Sequence, residues 1–390
     1  MIRINKTIAQ TVRNESLIYV VYGVIVVIVS LIKVFLTEGS FNNYDIFRFA
    51  FFHLTEGQNL YEAHPEAHFD LYKYSPGFAL LMAPFWFLNR TLGVVSWNLL
   101  NALLPLVMLG RMKFDIPARW FFALFILFEM VTSIQNAQSN GLMLALMMWA
   151  FNAFEQDKMK SFALAVSLGV SIKLFAGVMV LMLFFHRQGF KWLVFSALTG
   201  LIFVVLPSFV TGIEPLWKLY VSWFVLLAGD APHALNYSLM SFFERTAGFV
   251  LPNAIWLIAG MVLLVLPLYR RQQQQYYKWR LTYFALMLVW VVLFNHKTES
   301  PTFVIAMAGA ALYYLGSRKT VEYKVLMVIV FIFTGLVATD IFPYAVRENF
   351  IKPYSIKVLP CIILFIYILK DLLFADYGKF SQPSDSENNK

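Results

Sequence analysis

Ser16–Leu36 reads SLIYVVYGVIVVIVSLIKVFL, with Lys33 as its lone charge. Its apolar residues neither alternate with polar ones nor keep to one stripe of a helix; they surround it. A helix that is apolar all round is covered on every side, by protein or by lipid. A run of roughly 20 such residues matches the thickness of a bilayer core at about 1.5 Å of rise per residue. Further runs follow at 75–88, 94–110, 117–133, 140–154, 161–186, 192–212, 249–268, 281–295, 301–316, 323–342 and 355–374. Ser16–Leu36 lacks a small-residue cleavage site and reads as a retained first span.

The whole composition agrees. Of 390 residues, 60% are hydrophobic and 14% charged, where a soluble domain carries about 25% charge. No water-soluble globule of this size hides so much apolar surface, so the solvent is lipid. Only helices and closed barrels satisfy their backbone there, and runs without alternation select helices. The expected fold is an all-α polytopic membrane protein of about twelve transmembrane helices. It reads as one integral membrane domain over 1–375. Residues 37–92 form a first extracytoplasmic loop with interfacial or re-entrant helices, and 213–248 form a long outer loop. The polar stretch 376–390 reads as a disordered cytoplasmic tail.

The net charge of +9 points to orientation rather than to nucleic acid, because Lys and Arg sit in short loops between apolar blocks. Arg3, Lys6 and Arg13 place the N-terminus in the cytoplasm. Arg270, Arg271, Lys278 and Arg280 do the same for 269–280, and Arg318, Lys319 and Lys324 for 316–324. Residues 37–73, 213–248, 295–300 and 343–354 then lie outside. If block 75–88 crossed, Arg111, Lys113 and Arg119 would also lie outside, against the rule. If it dips and returns, 110–119, 155–160 and 186–191 become cytoplasmic. Block 161–186 must then turn back as two short helices meeting near Lys173, and broken helices of this kind line protein cavities. The charge rule favours the dip, which puts Gln135, Gln138 and Asn140 on the side of loop 37–73. The single Cys361 excludes an internal disulfide and a thiolate metal cluster.

Loop 37–73 holds Glu38, Asp45, Glu56, Glu62, Glu66 and Asp70 against Arg48 and Lys73, with His53, His64 and His68. Acids facing water need no explanation, but Asp45 lies in Phe41-Asn42-Asn43-Tyr44-Asp45-Ile46-Phe47-Arg48-Phe49-Ala50-Phe51-Phe52. That aromatic stretch reads as an interfacial helix. Partial burial there would raise the carboxyl pKa and make it a better base; the plain alternative is a helix-start acid. Tyr72-Lys73-Tyr74-Ser75-Pro76 is either a helix start in the interfacial belt or a phosphate contact through Lys73. Gln135, Asn136, Gln138, Ser139 and Asn140 form a polar knot between apolar blocks. Lys173 lies deep in an apolar run, where a charge is functional by default unless it snorkels. In Asn295-His296-Lys297-Thr298-Glu299-Ser300-Pro301, His296 and Lys297 suit an anionic ligand such as phosphate, or the segment is a solvated turn. Asn236-Tyr237-Ser238-Leu239 and Glu244-Arg245 are weaker signals. His64 and His68 flank Glu66 as a metal pair would. However, Pro65 opposes a helix across them and no third ligand stands at a fixed spacing, so no metal is expected. Gly-rich phosphate loops, dinucleotide fingerprints and nucleophile elbows are absent from the sequence.

The Asp45 segment, Gly57-Gln58-Asn59-Leu60-Tyr61, and Tyr74-Ser75-Pro76 with Pro84 resemble the opening of glycosyltransferase family 87. The likeness continues through Gln138-Ser139-Asn140-Gly141, Lys173-Leu174-Phe175, Asn236-Tyr237-Ser238-Leu239 and His296, roughly 40 to 300. The resemblance implies a C-type glycosyltransferase fold with a seven-helix front module. It also implies an inverting, metal-independent enzyme without cofactor, taking its sugar from a polyprenyl-phosphate donor. The acceptor would be an extracytoplasmic glycan or glycolipid, and the setting the outer face of a bacterial inner membrane. Asp45 would be the general base. His296, Lys297, Lys173, Arg48 and Lys73 would hold the donor phosphate, and Tyr44, Tyr74, Gln138, Asn140, Asn236 and Glu299 the substrates. Ala176 stands where the family usually has Pro, and Ala137 where it usually has Gly, which leaves mannose or another hexose as the sugar. Two other classes suit a dozen-helix chain. A lipid-linked saccharide flippase would be expected to show internal pseudo-symmetry, which is not evident here. A non-catalytic envelope-biosynthesis protein would tolerate substitutions at the sugar site.

Overall fold

The computed structural model describes residues 14–37, 39–229, 236–337, 339 and 341–379. Glu38, the basic residues Arg3, Lys6 and Arg13, and the tail beyond Lys379 lie outside the described residues. Helices account for the regular structure, with no strand among the described residues. Among the described residues four helices are long and apolar enough to cross a membrane: Glu15–Leu36, Arg90–Gly110, Ile116–Gln135 and Gly189–Thr211.

Glu15–Leu36 shows why the solvent is lipid. Asn14 starts the helix by accepting from the Ser16 N–H at 3.0 Å. One face buries Ile18, Tyr22, Val26 and Ser30. The opposite face leaves Val20, Val24, Ile28 and Ile32 more than half exposed. Each would forgo roughly 1.5–3 kcal/mol by facing water, so this face belongs against hydrocarbon. Gly189–Thr211 repeats the pattern with Leu198, Leu201 and Ile202. The chain is a membrane protein.

Most apolar blocks become single helices. Block 94–110 is Arg90–Gly110, 117–133 is Ile116–Gln135, and 140–154 is Asn140–Glu155. The Asp45 stretch is the helix Asn42–Thr55. Block 75–88 is instead two short helices, Pro76–Leu81 and Ala83–Trp86. Block 161–186 breaks at Lys173, which is extended at φ −141° and ψ 124° between the helix Met159–Ile172 and the 3₁₀ segment Leu174–Phe185. A Cβ built on Gly169 would stand 2.8 Å from the Ala176 Cβ. In one continuous helix those residues would be separated by roughly 10 Å of rise, so the chain bends sharply at Lys173. Within 213–248, expected as loop, lie the helices Ile213–Gly229 and Leu239–Ala247. Glu214 and Lys218 pair at 2.8 Å one turn apart on the first of them, a charge pattern that supports a helix.

The chain forms two compact units. One comprises Met1–Ala123, Met130–Leu183 and Gln188–Ala231; the other comprises Leu124–Glu129, Phe184–Arg187 and Pro232–Lys390. The second unit is built around Tyr277–Leu293, buried from Leu281 to Leu293, and Phe303–Gly316, buried from Phe303 to Tyr313. These helices are apolar all round because protein covers them.

In the first unit the helix Asn140–Glu155 crosses Arg90–Gly110 at close range. A Cβ on Gly141 would lie 2.2 Å from the Asn101 carbonyl oxygen. Small residues permit such crossings where lipid tails supply no hydrophobic drive between helices. The same Asn101 satisfies the incoming helix, because its Oδ1 accepts from the Leu142 N–H at 2.8 Å. Ser139, the N-cap residue, makes no side-chain cap bond itself. Gly141→Ala tests this crossing. The substitution gains about 0.8–1 kcal/mol of helix propensity, but overpacking costs about 1–3 kcal/mol. The variant should melt below the wild type in detergent; an unchanged or higher Tm would show that the two backbones do not touch.

Candidate active site

Asp45 occupies the first turn of Asn42–Thr55. Its carboxylate meets Arg90, the first residue of Arg90–Gly110. Arg90 Nε donates at 2.9 Å to Oδ1, and Nη2 donates at 2.7 Å to Oδ2. Nη2 also donates to the Ser40 carbonyl. The expected half-buried carboxyl among aromatics is therefore one partner of a planar two-point ion pair, 14% exposed. Such a fork fixes the plane of the carboxylate, and each oxygen keeps lone-pair capacity beyond it. Tyr44 beside it is fully buried.

Several predicted residues gather in the same unit. Lys173 Nζ donates to Asn140 Oδ1 at 2.7 Å, and Asn140 Nδ2 donates to Gln138 Oε1 at 2.6 Å. The intramembrane lysine thus meets the polar knot, rather than snorkelling away from it. Ser75 caps the helix Pro76–Leu81 by accepting from the Phe78 N–H at 3.2 Å, and its hydroxyl donates to the Ser171 carbonyl beside the break. Tyr74 packs edge-on against Phe47, centroids 4.9 Å apart, and its carbonyl accepts from the Tyr61 hydroxyl at 2.9 Å. Lys73 Nζ lies 3.9 Å from Asp70. Arg48 turns to the end of Ala83–Trp86, where its Nη2 donates to the Leu88 carbonyl at 3.2 Å and the guanidinium covers the Trp86 ring at 5.1 Å.

His296, Lys297, Glu299 and Asn236 belong to the second unit. Asn236 Nδ2 donates to the His296 carbonyl at 2.6 Å, and the Tyr237 N–H donates to the Thr298 carbonyl at 2.8 Å. Asn295 Oδ1 accepts from the Lys297 N–H at 3.1 Å. Glu299 stands at the N-cap of the short turn Ser300–Thr302. His296 lines a cavity of about 700 Å³ with Ser238, Ser241, Glu244, Arg245 and Trp256. Burial pushes its imidazole below the usual pKa.

Among the ion pairs that the sequence reading missed, two bear on the site residues. Arg90 stands just outside the apolar block 94–110, and nothing in its neighbourhood points to Asp45. Glu129 and Lys357 each lie within an apolar block, and a charge there is the signal of a functional intramembrane group. In the second unit their charged atoms stand 2.7 and 2.8 Å apart, with side-chain exposure of 0% for Glu129 and 2% for Lys357. Lys357 also donates to Ser300 Oγ at 2.8 Å, which anchors the junction bearing His296 and Glu299.

The family model for glycosyltransferase family 87 matches residues 72–339, most of the chain. The chain belongs to that family. No curated protein matches it. The family-87 match takes in Lys73, Tyr74, Gln138, Asn140, Lys173, Asn236, His296, Lys297 and Glu299, while Tyr44, Asp45 and Arg48 precede it. This family-87 chain is therefore a membrane glycosyltransferase.

The buried pair is open to test. Breaking one partner of such a pair costs about 3–5 kcal/mol, whereas replacing both with apolar residues is often neutral. Glu129→Leu or Lys357→Met alone should lower the Tm strongly, and the double variant should recover most of the loss. Additive losses in the double variant would show that the two groups are not coupled.

Proposed function

We propose that this family-87 enzyme moves a hexose, mannose or a close relative, from a polyprenyl-phosphate donor to a glycan or glycolipid acceptor. The reaction would take place on the extracytoplasmic face of a bacterial inner membrane. On this proposal the fold is of the C-type, with about twelve spans and a seven-helix front module. The observation that carries the reading is the Asp45 carboxylate, oriented by Arg90 at the start of a loop helix.

In the proposed step an acceptor hydroxyl attacks the anomeric carbon of the donor. Asp45 takes the hydroxyl proton. The bond from the anomeric carbon to the phosphate oxygen breaks, and the lipid phosphate leaves with the electron pair. A single displacement of this kind inverts the anomeric centre. Charge growing on the phosphate needs preplaced donors. Lys173, Lys297 and His296 are proposed for that role, with Arg48 and Lys73 behind them. The proposal gives this task to side chains and assigns no metal to the transfer. Tyr44, Tyr74, Gln138, Asn140, Asn236 and Glu299 are proposed to contact the sugar and acceptor.

Purified protein with labelled polyprenyl-phosphate hexose and a lipid acceptor is the direct assay. Asp45→Asn should lose transfer by about 10²-fold or more while still binding donor. Wild-type turnover in that variant would remove Asp45 as the base. His296→Ala should weaken donor binding or turnover, and unchanged kinetics would place it outside the site. Arg90→Lys keeps the charge but loses the fork, so the carboxylate loses its fixed plane. Misplacement of that order costs up to about 10²-fold in rate, and a variant with full kcat would show that Arg90 has no positioning role.

A further inference from the structure

Pro65 keeps Ala63–Phe69 from forming a helix, and the segment closes instead as a turn, with the His68 N–H donating to the His64 carbonyl at 3.0 Å. The turn lays His64 against the last turns of Asn42–Thr55. There the His64 ring stacks on that of His53, centroids 3.8 Å apart and planes 24° apart. One ring nitrogen from each of His53 and His64 and a carboxylate oxygen of Glu66 all lie within 4.8 Å of one another. His53 comes from a different element, so residue spacing could not reveal this third ligand to the His64–Glu66 pair.

The hydrogen bonds around the group set it up as a ligand set. His64 Nε2 faces the Asn59 carbonyl at 3.0 Å and is therefore the protonated nitrogen. That leaves the Nδ1 lone pair on the side of Glu66, whose oxygen is 3.5 Å away. Metal-bound histidines characteristically donate their other N–H to a carbonyl in this way. His68 adjoins the group, its ring 6.0 Å from His53 and 5.9 Å from His64, with Nδ1 at 2.7 Å from the Asp70 carbonyl. His53 is buried and Glu66 is 69% exposed, which gives an ion a way in from solvent.

We propose that His53, His64 and Glu66 bind a divalent cation of the zinc class. Two imidazoles and one carboxylate suit zinc, cobalt or nickel rather than magnesium or calcium. Tetrahedral bonds of about 2.0–2.2 Å put ligand atoms roughly 3.3–3.5 Å apart, so the group closes by about 1 Å on the ion, and water takes the fourth position. The site is a clip. It fastens the 59–70 turn to the helix that carries Asp45, some 12 Å farther back along the helix axis, and it takes no part in transfer.

Tag-free full-length protein in detergent, stripped with chelator and dialysed, is titrated with Co²⁺ and with Zn²⁺. Visible absorption, metal analysis and thermal melting are read. The wild type should bind one equivalent, show a Co²⁺ ligand-field band, and melt higher with Zn²⁺. His64→Ala should abolish binding and the band. Glu66→Gln, at an exposed position that does not threaten folding, should weaken binding at least about tenfold without changing the metal-free Tm. Absence of binding by the wild type at micromolar Zn²⁺, or wild-type affinity in Glu66→Gln, would overturn the proposal.

Discussion

Hydrocarbon offers no hydrogen bonds, so every polar group this chain carries into the membrane must be met by another part of the chain. An unmet group costs several kcal/mol. The structure answers with specific pairs. Asn98 Nδ2 on Arg90–Gly110 donates to Ser30 Oγ at 2.9 Å and to the Ile134 carbonyl at 3.1 Å. Tyr22, on Glu15–Leu36, donates its hydroxyl to the Ala123 carbonyl. Trp97 Nε1 donates to the Ala137 carbonyl at 2.8 Å. Each bond ties a helix to another helix, or to the turn that follows one, at one height. Apolar contacts alone are tolerant of sliding, whereas displacing Arg90–Gly110 by one turn would break the bonds of both Asn98 and Trp97.

The same rule explains what could be read from the sequence. The four long apolar helices were legible because membrane thickness acts along one dimension, so hydropathy locates them. The break at Lys173 was legible because an extra reversal was needed to keep Arg111, Lys113 and Arg119 with the other basic loops. Partners were not legible. Glu129 and Lys357 are brought together across 228 positions of chain, and nothing in either neighbourhood names the other. The helix Ile213–Gly229 was hidden for a different reason. It follows the preceding apolar run after the single residue Gly212, which turns the chain at φ +82°, and its Glu214–Lys218 pair breaks the hydropathy signal that marks the others.

Histidines show the limit from another side. Spacing argued against metal because His64 and His68 lie across a proline. It could not register that a turn, precisely because it is not a helix, is free to fold His64 onto His53. Patterns along a sequence find ligand sets that share one element. Sets assembled from a helix end and a loop have no pattern to find.

The candidate base presents the converse case, a residue outside the matched family segment whose geometry is set by residues within it. Asp45 precedes residue 72, yet Arg90 orients its carboxylate. The helix that carries it is held by contacts of the same origin. Phe47 packs on Tyr74, Phe78 and Trp97 at 4.9, 5.3 and 5.6 Å between centroids, and Asn43 Nδ2 donates to the Asn136 carbonyl at 2.9 Å. Asn136 adjoins the knot in which Lys173, Asn140 and Gln138 are joined. A shift of the helix end Arg90 or of the Asn136 turn would therefore move the carboxylate without touching it. The loop contributes the candidate base, and residues of the matched segment fix its position.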